Sequence, residues 1–314
     1  MRNISMLQID YDNIIVTKNT VRNRVVFTID NFYKFPNSII RRYHKNQDKS
    51  IDKSDNTYPG TSLALTDIIG ADEVEQHTED LRLLLCSYGF ESSRFIRSRS
   101  DQVNVCRLSS EIIRQKGRLL GNHLKDKGSV SNPHTDASPG FKKLNTLACL
   151  CYLSKETHGG TGLYYNKQLK TFCTSSDFEN ENRWDMWKKV EGATTDDEKL
   201  DIIEAHCIDR NEKTYPNLIT KGPMNKSDEY FDLIHFFPMK YNRLIVYEGD
   251  IVHSMYMEDE NFFKVHERLT SNYFLGIVWD ETLKNVSKVL SPLESSSLEK
   301  MIAHVTSTRK VTLF

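Results

Sequence analysis

The sequence lacks several things that would assign it quickly. None of its six cysteines, Cys86, Cys106, Cys149, Cys151, Cys173 and Cys207, forms a CxxC pair. That removes the ligand spacing of a four-ligand structural zinc site. No apolar run of about 18 residues occurs, and Met1 to Asp10 has neither a long apolar core nor a small-residue cleavage site. The expectation is a cytoplasmic, reduced protein with no membrane association. Charge of one sign is also missing: 42 Lys and Arg face 43 Asp and Glu, a formal net charge of -1, so no global field draws in nucleic acid. With 14 Gly and 8 Pro in 314 residues, fibrous and low-complexity classes are excluded. What is present, 38% hydrophobic and 10% aromatic residues, suffices for a sizeable core. A single large domain over 1–314 is expected, since barrels and sandwiches often reach this size.

Most of the chain reads as strand. Ile14 to Val16 and Val25 to Ile29 are β-branched runs that lead into a short helix at about 37–44. The basic stretch from Arg41, diluted by Asp48, Asp52 and Asp55, reads as solvated loop. Asp72 and Glu75 resemble a capping box, and Val74, Leu81, Leu84 and Leu85 recur at helical spacing, predicting a helix over about 73–87. His77 and Glu79 on that helix point about 200° apart and cannot share a metal, so both are expected at the surface. Arg94, Arg97 and Arg99 read as a solvated basic face. Strand composition returns at about 102, at Leu144 to Leu153, and after the His158-Gly159-Gly160-Thr161-Gly162 turn. Residues 174–230, with Trp184, Trp187 and Val190 at helical spacing, are expected to form a helical or irregular insertion. Asp232 to Pro238, Asn242 to Tyr247, Ile251 to Met255 and Arg268 to Val278 complete the strands. Ser291-Pro292-Leu293-Glu294 opens a C-terminal helix over 291–305, read first as a buttress and second as a homodimer contact. This pattern predicts a mainly β fold with flanking helices, an α+β sandwich or jelly roll.

The chemistry concentrates at Asn132-Pro133-His134-Thr135-Asp136. On an extended segment His134 and Asp136 point the same way, which suits two ligands of one metal. Alone, such an HxD is a chance-level pattern. His253 follows 119 residues after His134, and Arg268 lies 15 beyond His253. Two histidines and one carboxylate make the facial triad of non-haem Fe(II) oxygenases.

The ordered series His134, Asp136, His253 and Arg268 resembles that of the 2-oxoglutarate- and Fe(II)-dependent oxygenases. More closely, the chain looks like a bacterial group of oxygenase-like proteins distantly similar to prolyl 4-hydroxylases. The matching segments are Tyr58-Pro59-Gly60, Pro133 to Asp136, Gly159 to Gly162, Asn242-Arg243-Leu244 through Gly249 to His253, and Arg268-Leu269-Thr270. The resemblance spans roughly 25–280, and the 174–230 insertion lies outside its matching segments. It implies a double-stranded β-helix (jelly roll or cupin-like) core, with Fe(II) held by His134, Asp136 and His253. The open metal positions would take 2-oxoglutarate and O2. Arg268 would bind the distal carboxylate of 2-oxoglutarate in a two-pronged charge-assisted pair, and Thr270 would donate to it. Asn145, Tyr152 and Tyr164 are candidates for cosubstrate or substrate contact, with ordinary packing as the alternative for each.

The implied reaction couples decarboxylation of 2-oxoglutarate to oxidation of an unactivated C–H bond, usually hydroxylation. The carboxylate ligand Asp136 argues against a halogenase. The mixed charge of the insertion fits a small polar substrate, an amino acid or a peptide. Two rivals stand beside this reading: a non-catalytic module binding metal or 2-oxoglutarate on the same fold, and a metal-dependent hydrolase or isomerase, which leaves Arg268 unexplained. His158 and His235 are expected to be ordinary core histidines, and Arg268 could instead pair with Glu258, Asp259 or Glu260.

Overall fold

The computed structural model describes residues 5–22, 24–49, 51–52, 61–95, 102–108, 144–167, 231–256 and 266–278, with Pro133, Thr135, Asp136 and a few single positions between. The insertion at 174–230, the helix expected at 291–305, and the Tyr58-Pro59-Gly60 turn fall outside these segments, apart from single positions. Among the described residues no helix is long and apolar enough to cross a membrane.

Two antiparallel sheets dominate. Strands β1 (Ile15–Val21), β2 (Arg24–Asp30), β3 (Ile51–Asp52), β4 (Thr61–Ala64), β5 (Gln102–Leu108), β6 (Leu144–Tyr152), β9 (Arg243–Glu248) and β11 (Arg268–Val278) form the large sheet, in the order β1-β2-β9-β6-β11-β5-β4-β3. Strands β7 (Gly160–Asn166), β8 (Phe231–Pro238) and β10 (His253–Tyr256) form the small one, in the order β10-β7-β8. Helices α1 (Pro36–Lys45) and α2 (Ala71–Ser87) accompany them.

Period-two alternation gives the large sheet two different faces. On β6, Leu147, Cys149 and Cys151 join one core with Leu81, Leu84 and Leu85 of α2 and Ile39 and Tyr43 of α1. Ala148 and Tyr152, one residue out of phase, join a second core with Leu163 of β7 and Phe237 of β8. Strand β9 divides in the same way, with Leu244 and Val246 on the helix side and Ile245 and Tyr247 between the sheets. A one-residue slip of either strand would exchange the two cores, which fixes the register.

Two special backbones tie the layers. Asn242, at φ 59°, uses the tolerance of Asn for the left-handed region. Its side-chain amide accepts from Tyr33 N–H at 2.9 Å and donates to Tyr33 C=O at 2.8 Å, anchoring the N-terminal segment to β9. A Cβ on Gly160 would sit 1.9 Å from the Phe237 carbonyl oxygen, so β7 can approach β8 this closely only with glycine there.

Three sequence expectations need correction. The capping box does not form: α2 begins after Gly70 with no side-chain cap, and the neighbouring Glu73 instead accepts from Ser5 Oγ at 2.8 Å and Met6 N–H at 2.6 Å. His77 is buried, not at the surface, packed among Phe32, Tyr33 and Tyr273 with ring centroids 5.0–5.7 Å away. Arg94 is also buried, because its guanidinium pairs with Glu248 at 2.9 Å. Arg97 and Arg99 lie outside the described residues.

Candidate metal centre and anion pocket

The site is built on the turn that ends β9. Gly249 N–H donates to Thr146 C=O at 2.6 Å, and Asp136 N–H donates to Gly249 C=O at 2.7 Å. A Cβ on Gly249 would lie 2.3 Å from Thr146 Oγ1 and 3.2 Å from Asp136 Cβ. Glycine is therefore what lets the turn, β6 and the Asp136 segment meet. Two residues beyond the turn, Ile251 C=O lies 2.8 Å from His253 Nδ1. A carbonyl only accepts, so Nδ1 carries a proton and Nε2 is the nitrogen turned toward Asp136. Nε2 points to Asp136 Oδ2 at 3.1 Å.

This geometry fits a shared cation. Two donor atoms at right angles, each about 2.1 Å from one ion, stand about 3.0 Å apart. A histidine whose second nitrogen is tied to a carbonyl is the usual form of a metal-binding imidazole. Burial pulls the His253 ring toward its neutral form, but the charge and hydrogen bond of Asp136, aided by the Ile251 carbonyl and Asp250, outweigh it. The ring thus titrates above an ordinary histidine, holding a proton where a cation would replace it. The same Asp136 charge adds to burial in pushing the adjacent Tyr247 hydroxyl well above its ordinary value. The expected third ligand, His134, lies outside the described residues. Among the described residues no group of three or more His, Cys, Asp or Glu side chains converges on one point.

The predicted anion-binding residues open β11. Arg268 and Thr270 are both buried and lie on the same side of the strand, and Thr270 stands in register opposite Tyr152 of β6. The Arg268 guanidinium carbon is 5.7 Å from the Tyr152 ring centroid. The Tyr152 hydroxyl meets Thr161 Oγ1 of the small sheet at 2.8 Å, so this group spans the space between the sheets. Burial raises the Tyr152 hydroxyl's pKa, while Arg268 and Thr161 partly offset the rise. The Thr270 hydroxyl makes no hydrogen bond, a condition that costs about 1–3 kcal/mol for a buried polar group.

Asn145 lies near the start of β6 opposite Ile277, seven residues from Tyr152, or roughly 23 Å along an extended strand. Structure thus gathers Asp136 with His253, and Arg268 with Thr270 and Tyr152, while Asn145 stands apart from the second group. Tyr164 packs against Phe231 in a separate small cluster. His235 is half-buried with its ring edge-on to Phe237, and His158 is also half-buried, so both lie at the margin of the core. An open cleft of about 430 Å³ between α1 and the β6 and β11 ends, lined by Asn37, Arg41, Lys155 and Glu267 among others, contains none of the candidate residues.

Glu248, Asp250 and Arg24 carry no site role in the sequence reading, and Arg94 is taken there as solvated. Glu248 and Asp250 are buried on either side of Gly249, and Arg24 and Arg94 pair with them. The available signal was the Glu-Gly-Asp sequence closing an apolar strand, because buried carboxylates require cationic partners.

A family model described as a family of unknown function, DUF6445, matches residues 127–275, a little under half of the chain and a span that includes Asp136, Tyr152, His253, Arg268 and Thr270. No curated protein and no solved structure matches the chain.

Proposed function

We propose that this chain is a non-haem Fe(II) oxygenase that couples oxidative decarboxylation of 2-oxoglutarate to hydroxylation, or related C–H oxidation, of a small polar substrate such as an amino acid or peptide. The observation that carries this reading is the pairing of His253 Nε2 with Asp136 Oδ2 at 3.1 Å, with His253 Nδ1 tied to Ile251. Residues far apart in sequence are brought together in a spacing and ring orientation compatible with a shared metal.

Strand order supports a jelly-roll core. Taking β5 as the first strand and β11 as the last, β5 pairs with β11, β6 with β9, and β7 with β8. These are nested pairs, as when one long hairpin is rolled up, and cross-pairs β11 with β6 and β10 with β7 close the roll. In this arrangement His253 and Arg268 are both buried, on strands of the two different sheets.

His253 and Asp136 would hold Fe(II), with His134 as the third ligand. Bound there, the metal supplies the O2 activation that side chains cannot. Arg268 neutralises the distal carboxylate of 2-oxoglutarate, and the unbonded Thr270 hydroxyl donates to it. Tyr152, fixed by Thr161, packs against the guanidinium and restricts its orientation. Among the described residues Cys86, Cys106, Cys149 and Cys151 form no disulfide, which supports a reducing compartment such as the cytoplasm.

The test is succinate formation from 2-oxoglutarate across a panel of amino acids and peptides, with Asp136→Ala beside the native protein. Turnover lost in the variant supports the proposal. Substantial succinate from Asp136→Ala in the presence of substrate sinks it.

A further inference from the structure

The two acidic residues flanking Gly249 are not surface groups. Glu248 and Asp250 are 2% and 0% exposed, and they sit in the turn that supports both candidate ligands. That turn supplies the Gly249 carbonyl to Asp136 and leads into the Ile251 carbonyl that sets the His253 tautomer. Arg24, from the start of β2, donates to Glu248 Oε2 at 2.7 Å and to Asp250 Oδ2 at 3.4 Å. Arg94 donates to the other Glu248 oxygen at 2.9 Å, and its guanidinium carbon lies 5.1 Å from the Phe90 ring centroid. Glu248 thus spends each oxygen on a different arginine, and Arg24 joins both acids across the glycine.

We infer that Arg24, Arg94, Glu248 and Asp250 form a clamp that positions the metal ligands. This rests on the metal-centre reading above. Buried charges of this kind are costly to desolvate, and well-packed apolar side chains of similar volume often hold a fold as well or better. What the clamp provides is angular restraint: with both acids held, the two carbonyls between and after them are fixed, and so are Asp136 and His253. A loose glycine turn would let each ligand swing independently. These are positioning residues; none need touch the metal.

The test uses Co(II) alone, whose visible absorption reports ligand geometry without any turnover. In the full chain, Glu248→Gln keeps the shape but removes the charge, Arg24→Met removes the bridge between the acids, and Arg24→Lys restores a cation. Glu248→Gln and Arg24→Met are expected to bind Co(II) about 10–100-fold more weakly than the native chain and with an altered visible band. Arg24→Lys is expected to recover most of the affinity, and all variants compared should show native far-ultraviolet circular dichroism. Arg24 is one-fifth exposed at the margin of the sheet, so its two variants decide the matter if Glu248→Gln does not fold. A folded Arg24→Met with native affinity and band overturns the clamp and leaves the metal centre standing. Failure of the native chain to bind Co(II) removes both.

Discussion

His77 gives the fold a built-in sensitivity to acid. It is 2% exposed, neither ring nitrogen makes a hydrogen bond, and burial pushes its pKa down to about 3, with a nearby Leu7 backbone group pulling weakly the other way. The unfolded chain titrates this group near 6.5. Because the folded value is the lower one, the unfolded state binds more protons below about pH 6.5, and stability falls as pH drops through the window from 6.5 to 3. Taking both values, the linkage costs about 2 kcal/mol between pH 7 and pH 5. The perturbation is His77→Leu, which has similar volume and no proton to bind. Urea unfolding of both chains at pH 7 and pH 5 isolates the contribution, since other titrating groups cancel in the difference. The native chain is expected to lose about 2 kcal/mol more than the variant on acidification. Equal losses, within a few tenths of a kcal/mol, would refute the buried neutral histidine.

Two further substitutions probe the sheet and the pocket. Gly160→Ala places a Cβ against the Phe237 backbone oxygen, which no side-chain rotation relieves, and is expected to cost roughly 3 kcal/mol or more by thermal or urea unfolding. Thr270→Val removes a buried hydroxyl that has no partner, so the ligand-free fold should be unchanged or slightly more stable, while 2-oxoglutarate affinity falls several-fold by calorimetry. A Thr270→Val protein of reduced stability and native affinity would contradict the placement.

How much was legible in the sequence depended on the range of the interaction. The apolar run in Asn242 to Tyr247 located β9 within a residue, because a strand-length apolar stretch is a local property. His253 and Arg268 lie on consecutive strands, β10 and β11, but these belong to different sheets, so their order was readable and the hairpin expected between them was not formed. His77 was misjudged although it sits three residues after Val74 and four before Leu81, within the same helical stripe as both. The angle between His77 and Glu79 answered whether they share a metal, but not which of them faces the core. Arg94 was missed for a different reason: its partner Glu248 is 154 residues away, and no local pattern distinguishes a solvated arginine from one that ends a buried ion pair. The tie from Asn242 to Tyr33, across 209 residues, was hidden in the same way, although Asn just before a β-branched run is a turn signal. Ladders and stripes are written locally, whereas the contacts that set the ligand geometry are long-range.

The proposed function requires that Asp136 and His253 hold an iron to which 2-oxoglutarate binds. Anaerobic addition of Fe(II) and 2-oxoglutarate should produce a visible charge-transfer band that is absent in Asp136→Ala, and admission of O2 with substrate should yield succinate and discharge the band. A band without succinate across a broad substrate panel would indicate a binding module, and a native chain that gives no band at all would rule out the iron site.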